Sequence, residues 1–195
     1  MSHLLTKEQL WDEHKMDWAG CEECPLHKTR KNIVLGEGDL DANFLFVGEA
    51  PGEKEDQTGR PFVGRAGKRL RKAIKKAKFK RFFISNVVSC RPPDNRKPTQ
   101  GEVSRCGLRF RQLVEIIEPK IVIVLGKSAG EAIFMRFPSI KRIRGNLMRT
   151  YIGRNQYTIV PTFHPSYVLR SHDEEVAELF ENDLILAKKA LKSAT

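Results

Sequence analysis

Four short apolar runs limit what this chain can fold into. They are Asn43-Phe44-Leu45-Phe46-Val47, residues 81–89 (RFFISNVVS), Ile121-Val122-Ile123-Val124-Leu125 and residues 157–161. Each is too short for a helix, rich in β-branched or aromatic residues, and bounded by glycine or proline. Helical patterns lie between them. Thr6-Lys7-Glu8-Gln9 is a capping box, and Leu10, Trp11, His14 and Trp18 share one face behind it until Gly20. Residues 64–78 carry an apolar stripe of Ala66, Leu70, Ala73, Ile74 and Ala77 on a basic background. A second capping box, Thr99-Gln100-Gly101-Glu102, opens a helix with Val103, Cys106, Phe110, Leu113, Val114 and Ile117 on one side, so Cys106 points inward. A further helix is expected near residues 128–137. A last one presents Val176, Leu179, Phe180, Leu184, Ala187 and Leu191. Continuously apolar strands that alternate with helices predict an α/β fold: a parallel sheet covered on both faces.

With 195 residues, 40% of them hydrophobic, the chain suits one domain over residues 1–195. Residues 1–30 would supply an N-terminal helix and the first two cysteines. The longest apolar run, Ile121 to Leu125, is far too short to cross a bilayer. The N-terminus MSHLLTKEQLWDEHK has acids and no apolar signal core, so a cytoplasmic protein with no membrane partner is expected. Thirty-five Lys and Arg stand against 24 acids, a net charge of +11. Residues 60–81 hold eleven of those bases and no acid, whereas residues 173–183 are acidic. A clustered positive field points to a polyanion, nucleic acid first. A merely solvated basic face would have the same composition.

The four cysteines form Cys21-x2-Cys24 and then, after a long gap, Cys90 and Cys106. A cytosolic chain rarely keeps structural disulfides, and four thiolates fit a zinc site or an iron–sulfur cluster. A zinc ribbon would bring a second C-x2-C close by. Cys90 and Cys106 could also be small buried hydrophobes.

Open α/β sheets bind ligands beyond the C-terminal ends of their strands. Three such ends look rich here: Gly48-Glu49-Ala50-Pro51-Gly52, Asn86, and Phe163-His164-Pro165-Ser166. Gly126-Lys127-Ser128 resembles the tail of a phosphate-binding loop, but the glycine that loop requires falls at Ile121, inside a strand. Singly, the other three are an ordinary turn, a backbone-bonding asparagine and an oriented histidine. Together, beside a basic helix, they outline a site.

GEAPGEKEDQTGRPFVGRAG, SNVVSCRPPDNRKPT and FHPSYVLR, with the cysteine spacing, resemble the family 4 uracil-DNA glycosylases, the iron–sulfur branch of that superfamily. The resemblance runs from about Cys21 to Leu191. It implies a three-layer α/β/α domain with a four-stranded parallel sheet, and a [4Fe–4S] cluster held by Cys21, Cys24, Cys90 and Cys106. It also implies a monomer that flips uracil out of single- or double-stranded DNA in a prokaryotic or viral setting, with replication or repair proteins as candidate partners. Breaking the glycosidic bond leaves positive charge on the sugar and negative charge on the base, so the pocket needs a stacking ring, an edge reader and an oxyanion donor. By resemblance Phe62 stacks on the base, Asn86 reads O4 and N3–H, and His164 donates to O2, with backbone N–H groups near Glu49 and Ala50. Ser166, Tyr167, Val168, Leu169 and Arg170 would touch DNA, with Tyr167, Val168 and Leu169 as a wedge; of those three, Leu169 has the strongest core character. Arg91 and Arg96, on a basic Pro-rich loop, would meet phosphates.

Two positions depart from better-known relatives. Ala50 stands where those carry a water-positioning aspartate, which leaves Glu55 or Glu49 as the catalytic carboxylate; Glu55 could equally be solvated. Gly52 stands where they exclude thymine with an aromatic ring, so Glu49 or Glu55 must do that work. No histidine lies between His27 and His164, so the covalent-trapping insertion of some relatives is missing. A glycosylase of broader range, taking hypoxanthine or xanthine, and a non-enzymatic iron–sulfur DNA-binding module are the alternatives.

Overall fold

The computed structural model describes residues 5–134 and 137–193. Both capping boxes close: Thr6 with Gln9 starts α1 (Lys7–Ala19), and Thr99 with Glu102 starts α4 (Gln100–Ile117). Between them lie β1 (Glu37–Gly38), β2 (Phe44–Gly48), α2 (Glu53–Thr58), α3 (Arg65–Lys76) and β3 (Phe82–Asn86). After α4 come β4 (Ile121–Leu125), α5 (Lys127–Ile133), α6 (Ile140–Ile143), β5 (Met148–Ile152), β6 (Asn155–Thr162), α7 (Pro165–Ser171) and α8 (Glu174–Ser193). The helix expected over 128–137 stops at Ile133, and residues 135–136 of that span lie outside the described residues.

The sheet order is β1-β3-β2-β4-β6-β5. β3, β2, β4 and β6 run parallel, while β1 and β5 are antiparallel edges. The expected four-stranded parallel sheet is therefore corrected to a mixed sheet of six. Both added strands lack the signal that marks a buried one. β1 is two residues long, and β5 (MRTYI) alternates polar residues because Arg149 and Tyr151 face solvent. β5 is tied to β6 by the turn at Gly153 and Arg154, with Gly153 at φ 65°.

Alternate strand residues feed two cores. Phe44, Phe46, Ile84, Ile121, Ile123 and Val160 pack with Leu70 and Ile74 of α3 and Phe180 and Leu184 of α8. Leu45, Val47, Phe83, Val122, Val124 and Ile159 pack with Phe110, Leu113, Val114 and Ile117 of α4. The period-two geometry of a strand makes this split, and each such side chain contributes about 1.5–3 kcal/mol of burial. α1 lies on α4: Trp18 Nε1 donates to Gln112 Oε1 (2.8 Å), and Lys7 Nζ donates to the Ile117 carbonyl (3.0 Å). Among the described residues no helix is long and apolar enough to cross a membrane.

Candidate active site

The ends of β2, β3 and β6 meet at a cleft of about 420 Å³. Glu49, Ala50, Glu55, Phe62, Asn86, Arg96, His164, Ser166 and Arg170, all singled out in the sequence, line it. Parallel strands put their C-terminal ends on one side of the sheet, which is why segments so distant in sequence converge there.

Gly48 ends β2 opposite Asn86 of β3. A Cβ at Gly48 would fall 2.4 Å from Asn86 Oδ1 and 2.6 Å from Phe62 Cζ, so the amide and the ring both approach this point only because it is glycine. Asn86 is 1% exposed, and its Oδ1 has no partner. A buried acceptor left unpaired costs about 1–3 kcal/mol, which marks a place where a donor should arrive.

Phe62 sits in the left-handed region at φ 53°, unusual for an aromatic residue. Two side chains hold that turn. Glu55 Oε1 accepts the N–H groups of Val63 (2.8 Å) and Gly64 (2.7 Å). Arg71 donates to the carbonyls of Pro61 (2.8 Å) and Phe62 (2.9 Å) and to Glu37 (2.6 Å). Glu55 does turn back to the cleft, as expected, with one oxygen engaged by this loop. Arg71 was not visible as a site residue, because in sequence it is one more base in a basic run.

His164 precedes α7 and caps it. Its Nδ1 accepts the Ser166 backbone N–H (3.1 Å) and lies 2.7 Å from Ser166 Oγ. A backbone N–H can only donate, so the ring proton belongs on Nε2. Burial, reinforced by Arg170, lowers the imidazole pKa to about 4, against a smaller opposing pull from Glu55. The ring is tilted 39° to Phe62, with centroids 6.2 Å apart. Gly126, at φ 88°, lets the end of β4 pass: a Cβ there would stand 2.7 Å from His164 Cβ. The motif that imitates a phosphate loop is thus a packing device beneath the histidine.

Glu49 is half-buried with Oε1 unpartnered, and burial raises its pKa although Ser128 hydrogen-bonds it. On α7, Val168 is buried in the core and Tyr167 packs on Phe163 with centroids 5.1 Å apart, while Leu169 is half-buried and Arg170 exposed. Core membership therefore falls to Val168 rather than Leu169, since helical spacing turns residue 168 under the sheet side. Arg91 Nε donates to Asn95 Oδ1 (2.8 Å). Arg96 forks onto both oxygens of buried Glu102 (2.9 and 2.7 Å), pinning the 91–97 loop to α4. Of the basic run, Arg60, Arg69, Arg71, Lys76 and Arg81 are paired with acids of β1, the segment after it, or α8.

The four cysteines are free thiols, and all four line one small cavity with Arg30, Arg105 and Arg109. Arg30 Nη1 points to Cys90 Sγ (3.7 Å) and Arg109 Nε to Cys106 Sγ (3.4 Å). Among the described residues no three His, Cys, Asp or Glu side chains converge tightly enough to grip a single metal ion. Arg109 had no sequence signal beyond being a charged residue on an apolar helix face.

Residues 35–185 match the model of the uracil DNA glycosylase superfamily. The chain is 42% identical to the type-4 uracil-DNA glycosylase of Thermotoga maritima, covering 97% of this chain and 98% of that protein. It is 39% identical to the type-4 enzyme of Sulfurisphaera tokodaii (87% and 79% covered) and 38% identical to that of Archaeoglobus fulgidus (88% and 88%).

Proposed function

Since the chain belongs to the uracil DNA glycosylase superfamily, we propose that it excises uracil from DNA at the cleft between β2, β3 and β6, leaving an abasic site. The observation that carries this reading is the buried, unpartnered Oδ1 of Asn86 beside the edge of the Phe62 ring. A flipped uracil stacked on Phe62 offers its N3–H to that oxygen, while the amide N–H of Asn86 meets O4. A cytosine has an acceptor at N3 and a donor at N4, the reverse pattern. As the glycosidic bond breaks, the neutral His164 donates its Nε2–H to O2 of the departing uracilate, a preorganised stabilisation that is greatest in the transition state. Glu55 has one carboxylate oxygen engaged by the Phe62 turn, which leaves the other to orient water or face the sugar cation. Glu49 sits at the cleft wall and limits which bases enter. Arg96, Ser166 and Arg170 line the cleft, and with Arg91, Tyr167 and Leu169 they are the proposed contacts to the DNA backbone; the protein would act there as a monomer in the cytoplasm.

The reading extends to an iron–sulfur cluster held by Cys21, Cys24, Cys90 and Cys106. Four cysteines line one cavity, and two guanidiniums, of Arg30 and Arg109, reach Cys90 and Cys106 there, a donor set that suits an anionic thiolate-bound group. When bound, the group would lock the N-terminal segment to the 90–97 loop and α4. Purified protein should be brown, with iron and sulfide near four each per chain (about, by the cluster's composition); a colourless protein with one zinc overturns the cluster and spares the glycosylase.

The excision test is a uracil-containing oligonucleotide treated with the protein and then alkali. Strand breaks at uracil are expected, and binding without breaks would favour the non-enzymatic module.

A further inference from the structure

Arg109 is among the largest fully buried side chains of the molecule, 1% exposed, yet it pairs with no carboxylate among the described residues. A guanidinium keeps its proton at any ordinary pH, so it cannot escape burial by becoming neutral. An uncompensated charge of this kind is costly unless something anionic is nearby. On one side its Nε faces Cys106 Sγ (3.4 Å), and its Nη1 is buried with no partner. On the other side its Nη2 donates to the carbonyls of Asn86 (2.8 Å) and Val87 (3.0 Å). His14, stacked on Trp11 and within reach of the Arg109 charge, offers no negative charge, and the cavity beyond adds Arg30 and Arg105 beside the four cysteines and Glu23.

The two carbonyls matter because of where the sheet ends. β1 pairs with β3 only at Phe83 and Ile84; beyond them residues 34 and 35 reach this strand and its continuation only through Ser85 Oγ donating to the Leu35 carbonyl (2.7 Å) and Val34 N–H donating to the Ser89 carbonyl (2.8 Å). On its other flank Gly48 and Glu49 of the β2 end accept from Val87 and Val88. Arg109 thus ties the two peptide groups that follow Asn86 to α4, which fixes their planes and with them the direction of the Asn86 amide.

We propose that Arg109 is a positioning residue that couples the cysteine cavity to base recognition: its fork holds the end of β3 that carries Asn86, its Nε meets the sulfur of Cys106, and an anionic cluster on the four sulfurs would supply its counter-charge. The inference rests on the proposed uracil chemistry and sulfur ligation. It makes the cysteine site part of specificity, not only of stability.

Arg109→Lys keeps the charge and removes the fork; Arg109→Gln removes the charge. In Arg109→Lys, free-uracil binding by calorimetry should weaken roughly 10-fold and single-turnover excision should fall roughly 10- to 100-fold, the scale of one or two charge-assisted bonds. Affinity for abasic-site DNA, which presents no base to Asn86, should stay within about twofold, with parental iron and sulfide content. In an Asn86→Ala background the same substitution should add no more than about twofold, because its effect runs through Asn86. Arg109→Gln should shift the reduction potential of the metal group to more negative values, since a positive charge near the sulfurs is gone. If it does not fold, Arg109→Lys alone decides. Parental uracil binding in Arg109→Lys, or a full additive loss in the Asn86→Ala background, overturns the proposal. A parent chain that neither excises nor binds uracil overturns the function reading and this one with it; a parent that does both beside an unchanged Arg109→Lys overturns this one alone.

Discussion

A single hydrogen bond decides what His164 can do. Because Ser166 N–H donates to Nδ1, the ring offers Nε2–H to the cleft without carrying a charge, and burial keeps it so down to about pH 4. In the proposed reaction the uracilate oxygen would gain most from that donor once the bond is breaking. His164→Ala should therefore lower single-turnover excision roughly 10²- to 10³-fold and leave binding to uracil DNA nearly unchanged. The parent rate should show no inflection near the ordinary histidine pKa of 6.5. A step at that pH would mean the imidazole titrates freely and is not held as the geometry requires. Asn86 gives the complementary test on the base edge. Asn86→Asp replaces the donor that meets O4 with a charged acceptor, costing roughly 3 kcal/mol or more, so uracil excision should drop by about two orders of magnitude. A variant that excises uracil at the parental rate would remove Asn86 from base reading.

The element that presents Phe62 is a short turn between α2 and α3, strained at φ 53° and held by Glu55 from one side and Arg71 from the other. Glu55→Ala frees two backbone donors, each worth about 1.5–3 kcal/mol to a charged acceptor, and the turn should relax. Excision should fall more than about 10-fold as the stacking ring moves. Glu55→Gln keeps an acceptor for the same N–H groups. If positioning is the main work of Glu55, the glutamine variant should retain most single-turnover activity; equal losses in both variants would instead assign its charge to the chemistry. The helices and central strands were readable because their signals are local: Thr99 and Glu102 form the capping box that their spacing implies, and Ile121 to Leu125 is buried as its apolar run implies. β1 and β5 were not readable, since an edge strand with one wet flank looks like loop. The cleft was readable at strand ends, where Glu49, Asn86 and His164 converge as their positions after β2, β3 and β6 imply. Its supports were not: Arg71 and Arg109 bond to groups chosen by tertiary contact, and in sequence they are indistinguishable from solvated bases, while Arg96 was visible only as a phosphate contact and not as the partner of Glu102.

At the scale of the whole molecule, charge is balanced across distance. Glu37 of β1 takes Arg60 and Arg71, Glu181 of α8 takes Arg69 and Lys76, and Asp183 of α8 holds Arg144 beside Thr162. The acidic C-terminal helix thus offsets part of the basic run on α3 without cancelling the net charge of +11. Two histidines, His14 buried and His164 half-buried at the cleft, make this arrangement sensitive to mild acid. His14 and His164 are both lowered from 6.5 to about 4, chiefly by burial, with Arg109 and Arg170 adding to it. The unfolded chain then binds protons that the folded chain refuses. Stability from these two groups is intact above pH 6.5, declines as pH falls below it, and stops declining near pH 4. By pH 5 each contributes a loss of about 2 kcal/mol. Glu37, Glu102 and Glu181, held below the ordinary carboxylate range by their arginine and lysine partners against the opposing effect of burial, lose their contribution at lower pH, whereas Glu49 and Asp183, raised by burial, offset part of the histidine loss, so a histidine variant is what separates the contributions. Urea unfolding should show a clearly lower midpoint at pH 5 than at pH 7. His14→Phe removes one titrating ring while keeping an aromatic partner for Trp11, and should cut that pH dependence to about half. A His14→Phe protein with the full parental loss between pH 7 and pH 5 would show that His14 does not resist protonation in the folded state, and that the charge of Arg109 does not reach it.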